Sequence, residues 1–422
     1  METHIPEDLN LFKQKALQWA ASFETACYFD SNEYTDPYSA FDVLIAAGAT
    51  LELKENSGSA FTKLGLVLEN NKDWLLGFLG YDLKNETETL SSSNPDHLNF
   101  PELFFFKPLH LILIKQGKVN IYSSDQERIY KEIENTQPDE LKFTFQGRIQ
   151  SRFSSDEYKK TVSELQEHIR RGNIYEINFC QEFYSENCNI NPLSAFETLN
   201  RISPTPFASF FKHQDKYIIS ATPERFLSKR KNKLISQPIK GTIKRGLNSV
   251  EDEQLKQSLK NNIKEQSENV MIVDLVRNDL TKCAVPGTVE VEELFGIYSF
   301  EQVHQMISTV ICSVDPEMNN SEIIKSVFPM GSMTGAPKIS AMDLIEKYER
   351  TKRGVFSGAI GYFAPDGDFD FNVVIRTLLY NSAEKYLSFQ VGSAITFASA
   401  PDKEYEECLV KAEAIRRVLS NN

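Results

Sequence analysis

Five groups of residues in this chain have the types and spacing that chemistry needs. The first is Pro238-Ile239-Lys240-Gly241-Thr242. Lys240 lies between a proline-fixed entry and a glycine exit, where the backbone is stiff on one side and permits close approach on the other. An amine held there becomes a nucleophile when desolvation or a nearby cation lowers its pKa from about 10.4. Taken alone, the stretch reads first as a turn lysine in solvent. Glu224, in ATPERF (221–226), sits at a turn before a strand. It fits a general acid with a raised pKa or an ion-pair partner of Arg225. Arg376 falls inside the apolar run FNVVIRTLL (371–379). A guanidinium in such a strand needs a carboxylate from the protein or from a ligand. The fourth group is acidic. Glu265, Glu268, Asp274 and Asp279 lie on one predicted helix, and Glu404, Glu407 and Lys411 lie on the last one. Inward carboxylates from two helices suit Mg²⁺, which takes oxygen ligands, keeps waters and shares an anionic substrate. The same spacing also describes solvated acidic faces. The fifth is GSMTGAPK (331–338), a glycine-rich turn into a helix start, including Ser332, Thr334 and Gly335. Free N–H groups and the helix dipole there suit a carboxylate or phosphate, although a capped tight turn reads the same. It is not the GxxxxGK[ST] loop. His304 is a lone histidine and reads as structural.

The elements that must position these groups follow from periodicity. Residues 8–22 predict an amphipathic helix with Leu11, Ala16, Leu17 and Ala20 on one side. Residues 26–30, 42–47, 50–53, 74–83, 103–113 and 118–122 read as strands. Residues 131–142 are polar, and 145–156 is the best linker, dividing 1–150 from 151–422. Ser154 and Glu157 then have capping-box spacing, Tyr158, Val162, Leu165 and Ile169 form one face, and Gly172 closes the helix. Strands are predicted at 174–180, 207–211, 217–220, 225–227, 233–237, 288–294, 358–363, 369–379 and 386–391. Helices are predicted at 250–280, 321–328, 336–348 and 402–419, the third with Pro337 in its first turn. Residues 300–313 fit either state. Many strands with a few long helices, not strictly alternating, give an α+β class.

Composition narrows the function classes. The chain has 422 residues and a net charge of −13, which argues against nucleic acid as a partner. An anionic ligand then needs local cations or helix N-termini. Six scattered cysteines without CxxC read as reduced thiols in a cytoplasmic protein. The acidic N-terminus lacks an apolar h-region, so no signal peptide is expected, and no run is long enough to span a membrane.

Together the motifs resemble the chorismate-utilising enzymes, the family of anthranilate synthase component I and aminodeoxychorismate synthase component I. The resemblance rests on ordered blocks: GNIYEINF (172–179), SPTPFASF (203–210), ATPERFL (221–227), PIKGT (238–242), ENVMIVDLVRNDL (268–280), VHQMIST (303–309), FPMGSMTGAPK (328–338), GAIGYF (358–363), VIRTL (374–378) and EYEECLVKA (404–412). GFLGYDLKNETE (77–88) extends it more weakly toward the N-terminus. The resemblance implies a large two-subdomain β-sandwich with surrounding helices and the active site between its sheets. Lysine at 240, where anthranilate synthases typically have alanine, implies the aminodeoxychorismate synthase branch. Lys240 would attack C2 of chorismate as the C4 hydroxyl leaves, and ammonia would then enter at C4 and expel the lysine. Glu224 would be acid and base at the C4 hydroxyl. Glu268 and Glu407 match metal-ligand positions for Mg²⁺. Arg376, the loop with Ser332, Thr334 and Gly335, and the backbone at Gly392 would hold substrate carboxylates, with Lys411 in support. These cations are expected to lower the pKa of Lys240. Ammonia would come from a separate glutamine amidotransferase, because the chain has no room for a fused glutaminase or for a pyruvate-removing lyase. Five residues depart from the pattern. Gln305 aligns with a common histidine, Phe356 replaces an aromatic with a polar tip, and Ser393-Ala394 replace glycine-rich sequence. Glu176 stands where amino-transferring members often have glutamine and isochorismate-forming members have lysine. Anthranilate synthase component I and an inert amidotransferase-binding subunit are the competing readings.

Overall fold

The structure is a computed structural model that describes residues 3–138 and 143–420. Its centre is a network of twenty hydrogen-bonded strands in which the neighbouring strands run antiparallel, with a separate two-stranded pair. The strands read as apolar runs because both of their faces are covered. In Thr25–Asp30, Cys27 and Phe29 enter one hydrophobic core while Ala26 and Tyr28 enter the other. In Val43–Glu55, Leu44 and Ala46 alternate in the same way with Val43, Ile45 and Ala47. This is the two-residue period of a strand applied to two cores at once. The first core is rich in aromatics. The Phe78 and Phe104 rings meet Phe211 edge-on, with centroids 5.5 Å and 5.8 Å away. Strands from both sides of residue 150 share the sheet: Thr25–Asp30 pairs with Phe207–His213, and Leu75–Leu79 with Ala359–Phe363.

The helices divide between the cores. Ile263–Thr281 sends Ile272, Val273, Val276 and Leu280 into the first. Pro401–Ser420 sends Cys408, Ala412, Ile415 and Val418 into the second, beside Tyr158, Val162 and Leu165 of Ser155–Arg170. The two acid-bearing helices therefore approach the functional residues from opposite layers. This α+β sandwich is the architecture expected from the sequence.

Local expectations mostly hold, and the exceptions have physical causes. Ser154 and Glu157 form the full capping box, and Gly172 has φ +76° just past the helix end. In Leu9–Ala21, Ala16, Leu17 and Ala20 are buried as expected, and Phe12 takes the inward place expected for Leu11, which is exposed. The 250–280 helix is two helices, Ser249–Lys260 and Ile263–Thr281, because Asn262 caps the second through Lys264 and Glu265 amides. The ambiguous 300–313 segment is a central strand, Val303–Ser313, hydrogen-bonded to three others. In the polar stretch, Gln126–Asn135 is helical and 139–142 lie outside the described residues. Among the described residues, no helix is long and apolar enough to cross a membrane. The six cysteines are free and buried.

Candidate active site

Lys240 lies on a strand, not in the polar turn that its neighbours suggest. Ile239–Lys244 pairs with Val303–Ser313, and the register slips between Ile239 and Thr242. That bulge takes Lys240 and Gly241 off the regular ladder. Gly241 has φ +95°, and a Cβ there would come within 3.1 Å of the Glu265 carboxylate. The Lys240 Nζ donates to Glu176 Oε1 at 3.2 Å. Burial works against its charge, but Glu176, Glu268 and Glu407 outweigh burial and raise its pKa above the ordinary value. The expected lowering is thus reversed in the protein by itself: three carboxylates face the amine, so it rests as an ammonium.

Glu224 is buried and accepts a hydrogen bond from Ser332 Oγ at 2.6 Å. Burial pushes its pKa up to about 7, against the opposing pull of Ser332, Lys240, Lys411 and Arg376. It is not the partner of Arg225, whose guanidinium is bound by Asp370, Asp36 and Gln237. Near neutrality this carboxyl exchanges a proton readily, which suits an acid that later acts as a base.

Arg376 is not inside a strand. The apolar run breaks into Phe369–Val373 and Thr377–Asn381, and Arg376 occupies the turn between them with φ +49°. Its carbonyl accepts from the Ala221 amide at 3.2 Å. Its guanidinium makes no hydrogen bond or ion pair with the described residues. Burial lowers its pKa, and only Glu224 opposes that. A desolvated guanidinium without a protein carboxylate partner suits an anion. Gln305 shares a small cavity with Arg376, Thr205 and Pro223, and its carboxamide oxygen is buried without a partner among the described residues. His304 is structural, held between Ser299 Oγ and Asp252 Oδ1.

The 331–338 loop is shaped from behind. Arg353, fully buried, donates to the Met333 carbonyl at 2.6 Å and the Asn178 carbonyl at 2.9 Å. Asn178 donates its side-chain amide to the Ser332 carbonyl at 2.8 Å and its backbone N–H to the Thr334 carbonyl at 2.8 Å. The loop carbonyls are thereby consumed, and Ser332 Oγ is aimed at Glu224. The Thr334 hydroxyl turns inward to the Gly331 carbonyl. Gly335 has φ +155°, and a Cβ there would lie 2.2 Å from the Glu176 carbonyl. Lys338 leaves the site: its Nζ meets Asp279 at 2.5 Å and the Pro329 carbonyl at 2.8 Å. It ties the loop to the helix Ile263–Thr281, and Pro337 is the N-cap of the helix Lys338–Tyr348 instead of part of its first turn. The sequence reading passed over Arg353 and Asn178. The signal for Arg353 was Glu349, four residues earlier, which binds it at 2.6 Å.

Glu268 and Glu407 face the same space. Each is electrostatically coupled to Lys240 and to Glu265, whose own pKa is raised by burial and then by Glu268. Glu268 lies 3.5 Å from Lys264, and Glu407 lies 2.7 Å from Lys411. Lys411 also donates to the Gly392 carbonyl at 2.9 Å. Gly392 has no room for a side chain, since a Cβ would lie 2.4 Å from Cys180 Sγ. Among the described residues, no three or more His, Cys, Asp or Glu side chains form a ready metal cluster. Two partly exposed carboxylates with oxygen donors only, beside an anion site, nevertheless fit Mg²⁺, which completes its shell with water and substrate.

A sequence profile of the chorismate binding enzymes matches residues 10–417. The chain belongs to this family. It is a chorismate-utilising enzyme. It is 34% identical over 357 residues to an anthranilate synthase component I-like protein of Synechocystis, covering 82% of this chain and 72% of that one. It is 31% identical to aminodeoxychorismate synthase component 1 of Bacillus subtilis, over 82% of this chain and 76% of the relative. Anthranilate synthase component 1 of Saccharolobus solfataricus is 32% identical, over 82% and 81%. The fold superposes on the crystal structure of anthranilate synthase component I from Streptococcus pneumoniae with a TM-score of 0.80 and 24% identity, covering 90% of this chain and 93% of that one.

Proposed function

We propose that this enzyme is an aminodeoxychorismate synthase component I, which replaces the C4 hydroxyl of chorismate with an amino group. The observation that carries this reading is Lys240 itself. Its amine reaches the space bounded by Glu224, Arg376, Glu268 and Glu407, where an alanine would leave no nucleophile. Arg376 binds one substrate carboxylate, and the Gly392 backbone, steadied by Lys411, lies beside the other. Glu224, near its midpoint at neutral pH, gives its proton to the departing C4 oxygen while Ser332 steadies the resulting carboxylate. Lys240 bonds to C2 in that step. Ammonia then attacks C4, and the C2–Nζ bond breaks. Glu268 and Glu407 would hold Mg²⁺, which when bound neutralises the ring carboxylate and offsets the acidic surroundings. A separate glutamine amidotransferase would supply the ammonia.

Relatives of both activities match at similar identity, so the product decides. The chain is incubated with chorismate, Mg²⁺ and ammonium, and a separate pyruvate-removing lyase is then added. The expected product is p-aminobenzoate, formed only after the lyase. Anthranilate formed without the lyase would refute the reading.

A further inference from the structure

Lys240 must lose a proton before it can form a bond, and its Nζ already donates one in a hydrogen bond to Glu176 Oε1. Five carboxyl groups surround it: Glu176 on Glu176–Ser185, Glu265 and Glu268 on Ile263–Thr281, Glu407 on Pro401–Ser420, and Glu224 in the turn before Arg225–Arg230. Four of them are otherwise placed. Glu224 is bound by Ser332 and is the acid at C4. Glu268 and Glu407 pair with Lys264 and Lys411. Glu265 lies against Gly241, and no hydrogen bond joins it to the amine. Glu176 alone among the described residues hydrogen-bonds the amine, at 3.2 Å, and it is buried. Its position is fixed by two strands. Glu176 faces Ala336 in the register of Gly335–Ala336, and Gly335 permits the close approach of its backbone.

We propose that Glu176 is the proton acceptor and donor for Lys240, a catalytic residue that closes the proton balance of the reaction. The proposal rests on the reading of Lys240 as the nucleophile. In the first half, the Nζ–H bond breaks, its electron pair stays on nitrogen, and the proton passes to Glu176 Oε1. The freed pair bonds to C2, both ring double bonds shift round the C1, C6 and C5 side, and the C4–O bond breaks. The oxygen leaves as water with the proton of Glu224. Lys240 is now a secondary ammonium joined to the ring, Glu176 is neutral and Glu224 is charged. In the second half, ammonia bonds to C4, both ring double bonds shift back, and the C2–Nζ pair returns to Lys240 as a free amine. Glu176 gives its proton back to that amine, and Glu224 takes one from the new C4 ammonium. All three groups return to their starting states with no external acid or base. A glutamine at 176 can hold the amine but cannot take its proton.

The test follows single-turnover formation of the Lys240 adduct by mass spectrometry, on the full chain with Mg²⁺ and chorismate and without ammonium. Glu176→Gln and Glu176→Ala should each slow adduct formation at least tenfold, and on the order of 10²-fold for full loss of a general base. Formate should accelerate E176A, which leaves space for a small carboxylate, and should not accelerate E176Q. Melting temperatures serve as the fold control, and the near-isosteric E176Q keeps the test valid if E176A unfolds. An adduct formed by E176Q at the unmodified rate, or an E176A indifferent to formate, would overturn the role of Glu176 alone. An unmodified chain that consumes chorismate without any adduct would instead overturn the nucleophile reading, and the acceptor with it.

Discussion

The hydrogen bond from Ser332 to Glu224 allows a quantitative test of the site. Replacing Ser332 by alanine removes a 2.6 Å donor that favours the charged carboxylate. A hydrogen bond to a charged group is worth roughly 1.5 kcal/mol or more, and one pKa unit is about 1.4 kcal/mol, so the Glu224 pKa should rise by about one unit. Which limb of the pH profile moves depends on the protonation states needed. Turnover starts from protonated Glu224 and from a Lys240 ammonium that hands its proton to Glu176 within the complex, so the lysine step exchanges no proton with solvent. Below the Glu224 pKa near 7 this state is the main one, and above it each pH unit removes protonated Glu224 tenfold. The profile of kcat/KM should therefore be level on the acid side, break near 7 and fall. In Ser332→Ala the break should move up by about one unit, and in Glu224→Gln it should vanish with most of the activity. The assay is initial rate against pH with ammonium at constant free-ammonia concentration. A break unmoved in S332A, or retained in E224Q, would refute the assignment of Glu224 as the acid.

Four further outcomes are expected. Glu224 is raised in the folded chain from 4.5 to about 7, so the folded state binds the extra proton and loses stability as pH rises through that interval. Glu224→Gln should then match the unmodified protein near pH 4 and exceed it by up to about 3 kcal/mol at pH 8, measured by urea unfolding at both values. Arg376→Ala should raise KM for chorismate by roughly 10- to 150-fold, the loss of a charge-assisted contact of about 1.5–3 kcal/mol, with little change in melting temperature. Chelation of divalent ions should abolish turnover, and Glu268→Gln and Glu407→Gln should each raise the Mg²⁺ concentration for half-activity at least tenfold, read by Mg²⁺ titration. Lys338→Met should cost about 1.5–3 kcal/mol, the loss of a charged hydrogen bond to buried Asp279, which keeps Lys282 at 3.2 Å; the loss should be visible in thermal unfolding, because this lysine braces the loop.

Much of this protein was legible in its sequence because short-range rules fix it. The capping box at Ser154, the strand at 233–237 and the α+β class follow from side-chain period and local hydrogen bonding. The types of the candidate residues were legible too: an amine, a turn carboxyl, an unbalanced arginine and two acidic helices stand out without coordinates. Their environments were not. The protonation of Lys240 depends on carboxylates from three separate elements, and Coulomb energy depends on distances that adjacency in the chain does not encode. The break at Arg376 and the split at Asn262 arise from single backbone positions inside otherwise continuous patterns. Lys338 braces the loop through Asp279, and Arg353, which the sequence reading passed over, shapes it from a buried position. Sequence named the candidate groups, and the packing of two cores against one sheet decided which of them are buried, which are paired and which share one space.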